Sequence, residues 1–251
     1  MNVLTCVLLT MMVTLQQSPP TRTKAMEDGL FELDAEGAAI DGQVVKGKSP
    51  PKKVRIAILP DRSTGKPWGI PYLETAVEDL KRLNPDAVFC VGDLIQGYTS
   101  DPKQWDREAD EYIEIVSRLK TDFYPTAGNH DVISGRRDPS DRTFIDRYHT
   151  RFGPVHYAVE IDEATIIILF SDEMLDDRNV QFSEAQRIWL KEILEHAQTR
   201  GGPIAILMHR PLWRYSNVDW DNRVHPLLVK HGVDLVIAGH FHSLHKEPDR
   251  D

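Results

Sequence analysis

Polar side chains that can bind metal ions follow five apolar runs of this sequence, each directly after the run ends. The runs read "VRIAILP", "AVFCVG", "FYPTAG", "IAILM" and "LVIAG". The side chains that follow them are Asp61, Asp93, Asn129, His130, His209, His240 and His242. The two cysteines, Cys6 and Cys90, lie too far apart and in too unlike contexts to form a sulfur site. The remaining carboxylate, amide and imidazole donors suit divalent manganese, iron or zinc.

The apolar runs predict an α/β fold that would bring these side chains together. Each run is short and continuous rather than alternating, which is typical of strands buried on both faces. Helical patterns lie between most of the runs, so we expect largely parallel sheets with helices outside. Ligands of such folds bind at the carboxyl ends of the strands. The polar side chains are therefore expected to form one site.

The clearest helix is predicted to begin after Ser183. In "SEAQRIWLKEILEHAQ", Gln186 follows Ser183 by three residues, the spacing of a capping box. The helical spacing of four apolar residues predicts a stripe that faces the core. The stripe consists of Ile188, Trp189, Ile193 and Leu194.

The number of donors exceeds what one tetrahedral ion requires, because three or four ligands suffice there. The surplus predicts a pair of ions about 3.5–4 Å apart that share one carboxylate. Such a pair holds a hydroxide and clamps the oxygens of an in-line displacement. The donor set therefore indicates phosphoester hydrolysis.

Four motifs support this interpretation by resemblance. "GDLIQGY", "GNHD", "MHRP" and "GHFH" occur in this order after a strand that ends in an aspartate. Together they resemble the calcineurin-like metallophosphoesterase superfamily over about residues 54 to 245. The resemblance implies an α/β fold of two packed mixed β-sheets flanked by helices, in four layers. It also implies a phosphatase or phosphodiesterase that uses a hydroxide activated by two metal ions.

The resemblance implies a role for each donor. Asp93 would bridge both ions. One ion would be completed by Asn129, His209 and His240, and the other by Asp61 and His242. His130 would not bind metal but would protonate the leaving group or stabilise the transition state, with Asp131 as a candidate orienting partner.

One position departs from the family pattern. The family usually begins with D-x-H, whereas this sequence has Asp61, Arg62 and Ser63. Three outcomes are open: a weaker first metal site, a gap filled by water or Gln96, or loss of catalysis. The last outcome would make the chain a non-catalytic module that binds metal or phosphate. Purple acid phosphatases, which also lack this histidine, carry a tyrosine where this chain has Gln96, so that subclass is not assigned.

The substrate is expected to be a small phosphoester, either a monoester or a diester. Arg62, next to a proposed ligand, is a candidate for contact with the substrate phosphate, or for pairing with a carboxylate. The net charge of −9 and the pI near 5.6 give no basic face for nucleic acid. No nucleic-acid partner is therefore expected.

The domain organisation is predicted from composition. Residues 1–20 contain an apolar run too short to span a bilayer but typical of a signal peptide, which predicts export to the periplasm or the extracellular space. Without such a signal, a cytoplasmic location is expected. Residues 21–52 are polar, charged and broken by glycines, which predicts a linker. The resemblance assigns residues 53–251 to the metallophosphoesterase domain. Because relatives generally continue past "GHxH" with further strands, the resemblance implies either truncation at the C-terminus or a short second sheet.

Overall fold

The computed structural model describes residues 20–48, 53–61, 68–132, 140–173, 182–214 and 216–247. Its strands are β1 Val44–Lys46, β2 Ile56–Leu59, β3 Ala87–Cys90, β4 Phe123–Tyr124, β5 Tyr157–Ile161, β6 Ala164–Leu169, β7 Ile204–Met208 and β8 Leu235–Ala238. Its α-helices are α1 Lys24–Glu27, α2 Ile70–Leu83, α3 Pro102–Val116, α4 Asn129–Val132, α5 Thr143–Arg151, α6 Glu184–Arg200 and α7 His225–Lys230. A 3₁₀ turn spans Leu212–Arg214, and a π-helical turn, Trp220–Val224, leads into α7.

The strands form two sheets. The larger sheet has the order β1-β5-β6-β7-β8, in which β5 and β6 pair antiparallel and the other neighbours pair parallel. The smaller sheet has the order β2-β3-β4, and its pairs are parallel. The predicted α/β fold of two sheets flanked by helices is confirmed, with the mixed pairing in the five-stranded sheet.

The alternating side chains of β3 show how the layers are separated. Val88 and Cys90 join the cluster formed with α2, α3 and α5, whereas Ala87 and Phe89 join the cluster between the two sheets. This division follows from the two-residue period of a strand, which sends successive side chains to opposite faces. Because both faces of β3 are covered, its four residues are all buried, as the continuous apolar run predicts.

The helix α6 covers the outer face of the five-stranded sheet. The side chain of Ser183 accepts a hydrogen bond from the backbone N–H of Gln186 at 3.0 Å, which confirms the predicted N-cap. Gln186 does not complete a capping box, because the backbone N–H of Ser183 donates to Glu173 instead. The predicted stripe is wrong at Ile188, which is 51% exposed. The buried apolar side chains of α6 are Leu190, Ile193, Leu194 and Ala197.

The segment of residues 20–48 packs against the rest of the fold and is not a linker. Its strand β1 pairs parallel with β5, with Val45 opposite Val159. Phe31 is buried, and its ring contacts that of Tyr157 edge-on at 5.2 Å. The linker was predicted from the polar composition of this segment. The strand β1 does not show in the composition, because it is only three residues long and its partner β5 lies in a distant part of the chain.

The predicted signal peptide, residues 1–20, lies almost entirely before the first described residue. Residues 1–19 lie outside the described ranges, so the signal peptide and the exported location stay predictions. Among the helices of the described ranges, none combines the length and the apolar character needed to cross a bilayer.

Candidate metal centre

The ends of β2, β3, β7 and β8 bring two groups of donor atoms together. In one group the donor atoms of Asp93, His209 and His240 lie within 4.8 Å of one another, and in the other those of Asp61, Asp93 and His242 do. The side-chain oxygen of Asn129 lies 3.0 Å from His209 Nε2 and joins the first group. We name Asp93, Asn129, His209 and His240 the inner group, and Asp61, Asp93 and His242 the outer group. The structure thus brings together the six predicted metal ligands, and Asp93 belongs to both groups.

His209 is the most enclosed member of the inner group. Its side chain is fully buried, and its Nδ1–H donates to the carbonyl of Val91 at 2.8 Å. The second ring nitrogen, Nε2, therefore faces Asn129 Oδ1 at 3.0 Å and Asp93 Oδ2 at 3.2 Å. Metal-binding histidines commonly donate their other N–H in this way, because the bond fixes the ring and its tautomer.

Burial and neighbouring charges shift the pKa values of three residues of the inner group. Burial lowers the pKa of His209, but the carboxylate of Asp93 outweighs burial and raises it to about 9. Burial in turn raises the pKa of Asp93, and His209 and His130 lower it below its usual value. Burial, followed by the charges of Arg210 and His209, lowers the pKa of His240 to about 4. His240 is therefore neutral at pH 7, the state required of a metal ligand.

Three of the proposed ligands have a left-handed backbone. The φ angles are 54° at Asp93, 72° at His240 and 50° at His242. Such conformations cost about 1–3 kcal/mol each outside glycine and persist where the surrounding structure holds them. The backbone N–H of His240 donates to Asp61 Oδ2 at 3.0 Å, which is one such contact. The backbone of His240 is therefore held in place before any ion binds.

Gly128 permits the close approach of two motif loops. A Cβ atom at this position would lie 2.3 Å from both the backbone nitrogen and Oδ1 of Asp93. Any side chain would thus push the "GNHD" loop away from the "GD" loop. The glycine is required because the loops leave no room for a Cβ atom. Its backbone conformation does not require glycine, since its φ angle is not positive.

The outer group is more open. The side chain of His242 is 56% exposed, and its Nε2 lies 3.2 Å from Asp61 Oδ2. Asp61 itself is buried. Arg62 and Ser63 lie outside the described residues, so the predicted substrate contact of Arg62 and the three outcomes of the serine stay predictions.

His130 lies beside the ligands, and its orienting partner is not Asp131. Its backbone N–H donates to Asp93 Oδ1 at 3.0 Å, and its Nε2 lies 3.8 Å from Asp93 Oδ2. Its Nδ1 lies 2.5 Å from the carbonyl of Gln96. Because a carbonyl can only accept, Nδ1 carries the hydrogen and Nε2 faces the ligands. The backbone of Gln96 therefore orients this ring.

Asp131 instead joins the two motif loops. Its Oδ1 accepts from the backbone N–H groups of Leu94 and Ile95 at 2.9 and 3.2 Å, and its Oδ2 accepts from that of Gly128 at 2.7 Å. Burial and the charge of Asp93 raise the pKa of Asp131 to about 8. The suggestion that Asp131 orients His130 is wrong, because its carboxylate binds backbone donors of the loops.

The family comparison agrees with this geometry. A family model described as calcineurin-like phosphoesterase matches residues 54–244, which is more than half of the chain. The chain belongs to the calcineurin-like phosphoesterase family. The motifs "GD", "GNHD", "MHRP" and "GHFH" all lie within the matched range, so the resemblance inferred from them is confirmed.

Solved structures with this fold include two phosphatases. A purple acid phosphatase, PPD1, from yellow lupin (Lupinus luteus) seeds is 17% identical, with a TM-score of 0.58, over 82% of this chain and 39% of the lupin chain. A dimetal phosphatase from Danio rerio is 16% identical, with a TM-score of 0.57, over 75% of this chain and 82% of the other. At these identities the likeness is one of fold. This chain spans less than half the length of the lupin enzyme.

A third similar structure has a different description. GAP50, the anchor in the inner membrane complex of Plasmodium, is 18% identical, with a TM-score of 0.50. The match covers 74% of this chain and 65% of the other.

Sequence reasoning missed three residues next to the ligands of this calcineurin-like phosphoesterase. Arg210 Nη1 lies 3.2 Å from His240 Nε2, and Arg210 Nε donates to Asp172 at 2.5 Å. The hydroxyl of Tyr98 accepts a hydrogen bond from Asn129 Nδ2 at 2.6 Å. Asp172 follows the apolar run "IIILFS", so the rule that found the other strand-end donors could have found it too.

Proposed function

We propose that this chain hydrolyses a small phosphoester with the help of two divalent metal ions. The observation that carries the proposal is that two groups of donor atoms share Asp93. A shared carboxylate is the arrangement by which two-metal hydrolases hold ions about 3.5–4 Å apart. Family membership supports the same reaction class, because the matching family is one of phosphoesterases.

The donors present suit the proposed ions. The two groups offer carboxylate, amide and imidazole atoms, which bind manganese, iron or zinc. The bond from His209 to Val91 leaves Nε2 facing the other donors of the inner group. When bound, such ions lower the pKa of a coordinated water to about 7 and stabilise charge on phosphoryl oxygens.

The protein's own part in the reaction is to position the ester and supply a proton. The inner group would hold one ion, and Asp61 and His242 would hold the other together with Asp93. His130 is fixed by Gln96 through Nδ1, so its Nε2 can donate a proton to the leaving oxygen when the ring is protonated. A positioned general acid contributes about 10²–10⁴-fold to such a step.

Ser63 favours a second candidate, a non-catalytic module that binds metal or phosphate. The serine replaces the histidine that would otherwise complete the outer group, and the exposed ring of His242 leaves that group open. GAP50, which shares the fold, is described as the anchor in the inner membrane complex of Plasmodium. The two candidates differ in turnover, so one experiment separates them.

That experiment counts metal ions and measures hydrolysis of aryl phosphomonoesters and diesters by the purified chain. We expect two equivalents of metal and turnover. His130→Ala should retain the metal and lower kcat by about 10²–10⁴-fold. A matched control is His231→Ala, because the ring of His231 bonds to Gln198 on α6 in the outer helical layer.

Asp93→Asn tests the shared ligand in the same assay. We expect metal loss from both groups, because the substitution removes the one charged donor common to them. Asp41→Asn is its control, since Asp41 also pairs with a histidine, His149, at 3.0 Å but belongs to neither group. Metal binding without turnover in the unsubstituted chain would establish the non-catalytic candidate and contradict the enzyme.

A further inference from the structure

A cationic side chain lies next to the proposed metal ligands. Arg210 directly follows His209 in the chain, and its Nη1 is 3.2 Å from His240 Nε2. The guanidinium is held by Asp172, whose side chain is 1% exposed. Ser171 fixes the same arrangement, because its hydroxyl accepts from the backbone N–H of Arg210 and donates to Asp172, each at 3.0 Å.

The position of this charge is unfavourable for a site that binds only cations. A guanidinium stays protonated in proteins and repels a divalent ion nearby. The arrangement becomes favourable when an anion binds both the metal and the guanidinium. Arginine is well suited to this, because its donors match the oxygens of a phosphoryl group.

We infer that Arg210 binds a phosphoryl oxygen of the substrate beside the ion held by the inner group. The inference rests on the proposed function and names a substrate-binding residue within it. Asp172 and Ser171 are positioning residues that hold the guanidinium in a fixed direction. The side chain of Arg210 is 19% exposed, so part of it is accessible to a ligand.

A purely structural role for Arg210 makes a different prediction. The arginine would then only neutralise the buried carboxylate of Asp172, and its loss would lower stability without changing phosphate affinity. Arg187 provides a matched control for this role. Its side chain is 18% exposed, and it pairs with Asp219, whose side chain is 4% exposed. It lies on α6 and belongs to neither ligand group.

The test uses inorganic phosphate as the probe with the metal-loaded full chain. Inhibition constants and metal content are measured for Arg210→Gln, Arg210→Lys and Arg187→Gln. We expect phosphate to bind about 10- to 100-fold more weakly to Arg210→Gln, with KM raised and the metal content unchanged. Arg210→Lys should lose less, because it keeps the charge but not the paired donors. Arg187→Gln should leave the phosphate affinity as it is.

Loss of the arginine alone would leave the charge of Asp172 buried without its partner, which can unfold the chain. The double variant Arg210→Gln/Asp172→Asn removes both charges and keeps a pair that can hydrogen bond. We expect this variant to fold, to retain metal and to show the same weakened phosphate binding.

Unchanged phosphate inhibition in the Arg210 variants at equal metal content would overturn the inference and leave the proposed function intact. Parallel loss of metal and phosphate would also overturn it, because Arg210 would then act through His240. Absence of metal binding or turnover in the unsubstituted chain is a distinct result, which would remove the proposed function first.

Discussion

The inner and outer ligand groups share Asp93 but differ in how the protein holds them. In the inner group, His209 is fully buried and is bonded through Nδ1 to Val91, and its Nε2 meets Asn129. In the outer group, the side chain of His242 is 56% exposed. Among the described residues, the contact with Asp61 orients its ring. The inner group is therefore fixed by the fold, whereas the outer group depends more on the ion that it would bind.

This difference has an energetic consequence for metal binding. A ligand that the fold already holds loses little conformational entropy when an ion arrives, whereas an exposed side chain must be ordered at that moment. The outer group also has fewer protein donors, because Ser63 replaces the imidazole of the family pattern. We therefore expect the inner group to bind its ion more tightly than the outer group.

The largest expected effect comes from removing one histidine from each group. His209→Ala should abolish binding of the tighter ion and lower kcat by about 10³-fold, because the inner group loses its most enclosed donor. His242→Ala should leave one tight ion in place and weaken only the second. Metal titration of both variants by calorimetry, with activity measured in parallel, checks this order.

The reverse order, with His242→Ala costing the tighter ion, would contradict the comparison. His245→Ala is the matched control, because His245 also lies in the exposed loop after β8 but belongs to neither ligand group. The control separates loss of a ligand from disturbance of the loop.

A pH effect of intermediate size is expected at the inner group. The pKa of His209 is raised to about 9, so without metal its Nε2 carries a proton at pH 7. An ion must displace this proton, so the apparent affinity of the inner group should fall about tenfold for each pH unit below 9. Calorimetry in two buffers of different ionisation enthalpy measures the proton released, which should be about one per inner ion.

The same raised pKa affects the stability of the metal-free protein. The ordinary pKa of histidine is 6.5 and the folded value is about 9. The resulting stabilisation is fully present below pH 6.5 and is lost as the pH rises through 9. Thermal unfolding of the metal-free chain should therefore shift to lower temperature over this range. A metal affinity that does not change between pH 7 and 9 would contradict the assignment of this proton to His209.

Much of the site was predictable because strand ends and motif spacing carry its positions. The runs before Asp93 and His209 form largely buried strands, and the run before His240 forms the partly exposed edge strand β8. Parallel pairing places the ends of these strands at neighbouring edges. The sequence therefore indicates which donors meet, although it contains no distances.

Other features were not predictable because they depend on contacts between distant residues. The strand β1 is three residues in a polar segment, and only its pairing with β5 defines it. Asp131 was misassigned because its partners are backbone N–H groups of Leu94 and Ile95, which the identities of the side chains do not reveal. Arg210 was missed for a similar reason, since its contact with His240 joins two separate loops.

The smallest expected effect sharpens the comparison within the inner group. The amide of Asn129 can face its neighbours in two ways, and the hydroxyl of Tyr98 accepts from Nδ2 at 2.6 Å, which leaves Oδ1 facing His209. Tyr98→Phe removes this acceptor but keeps the ring, which contacts that of His130 at 4.2 Å. We expect the affinity for the inner ion to fall by about 10-fold, the lower end of the range for residues that orient a metal ligand. A larger loss at the outer ion than at the inner one would show that Tyr98 acts elsewhere.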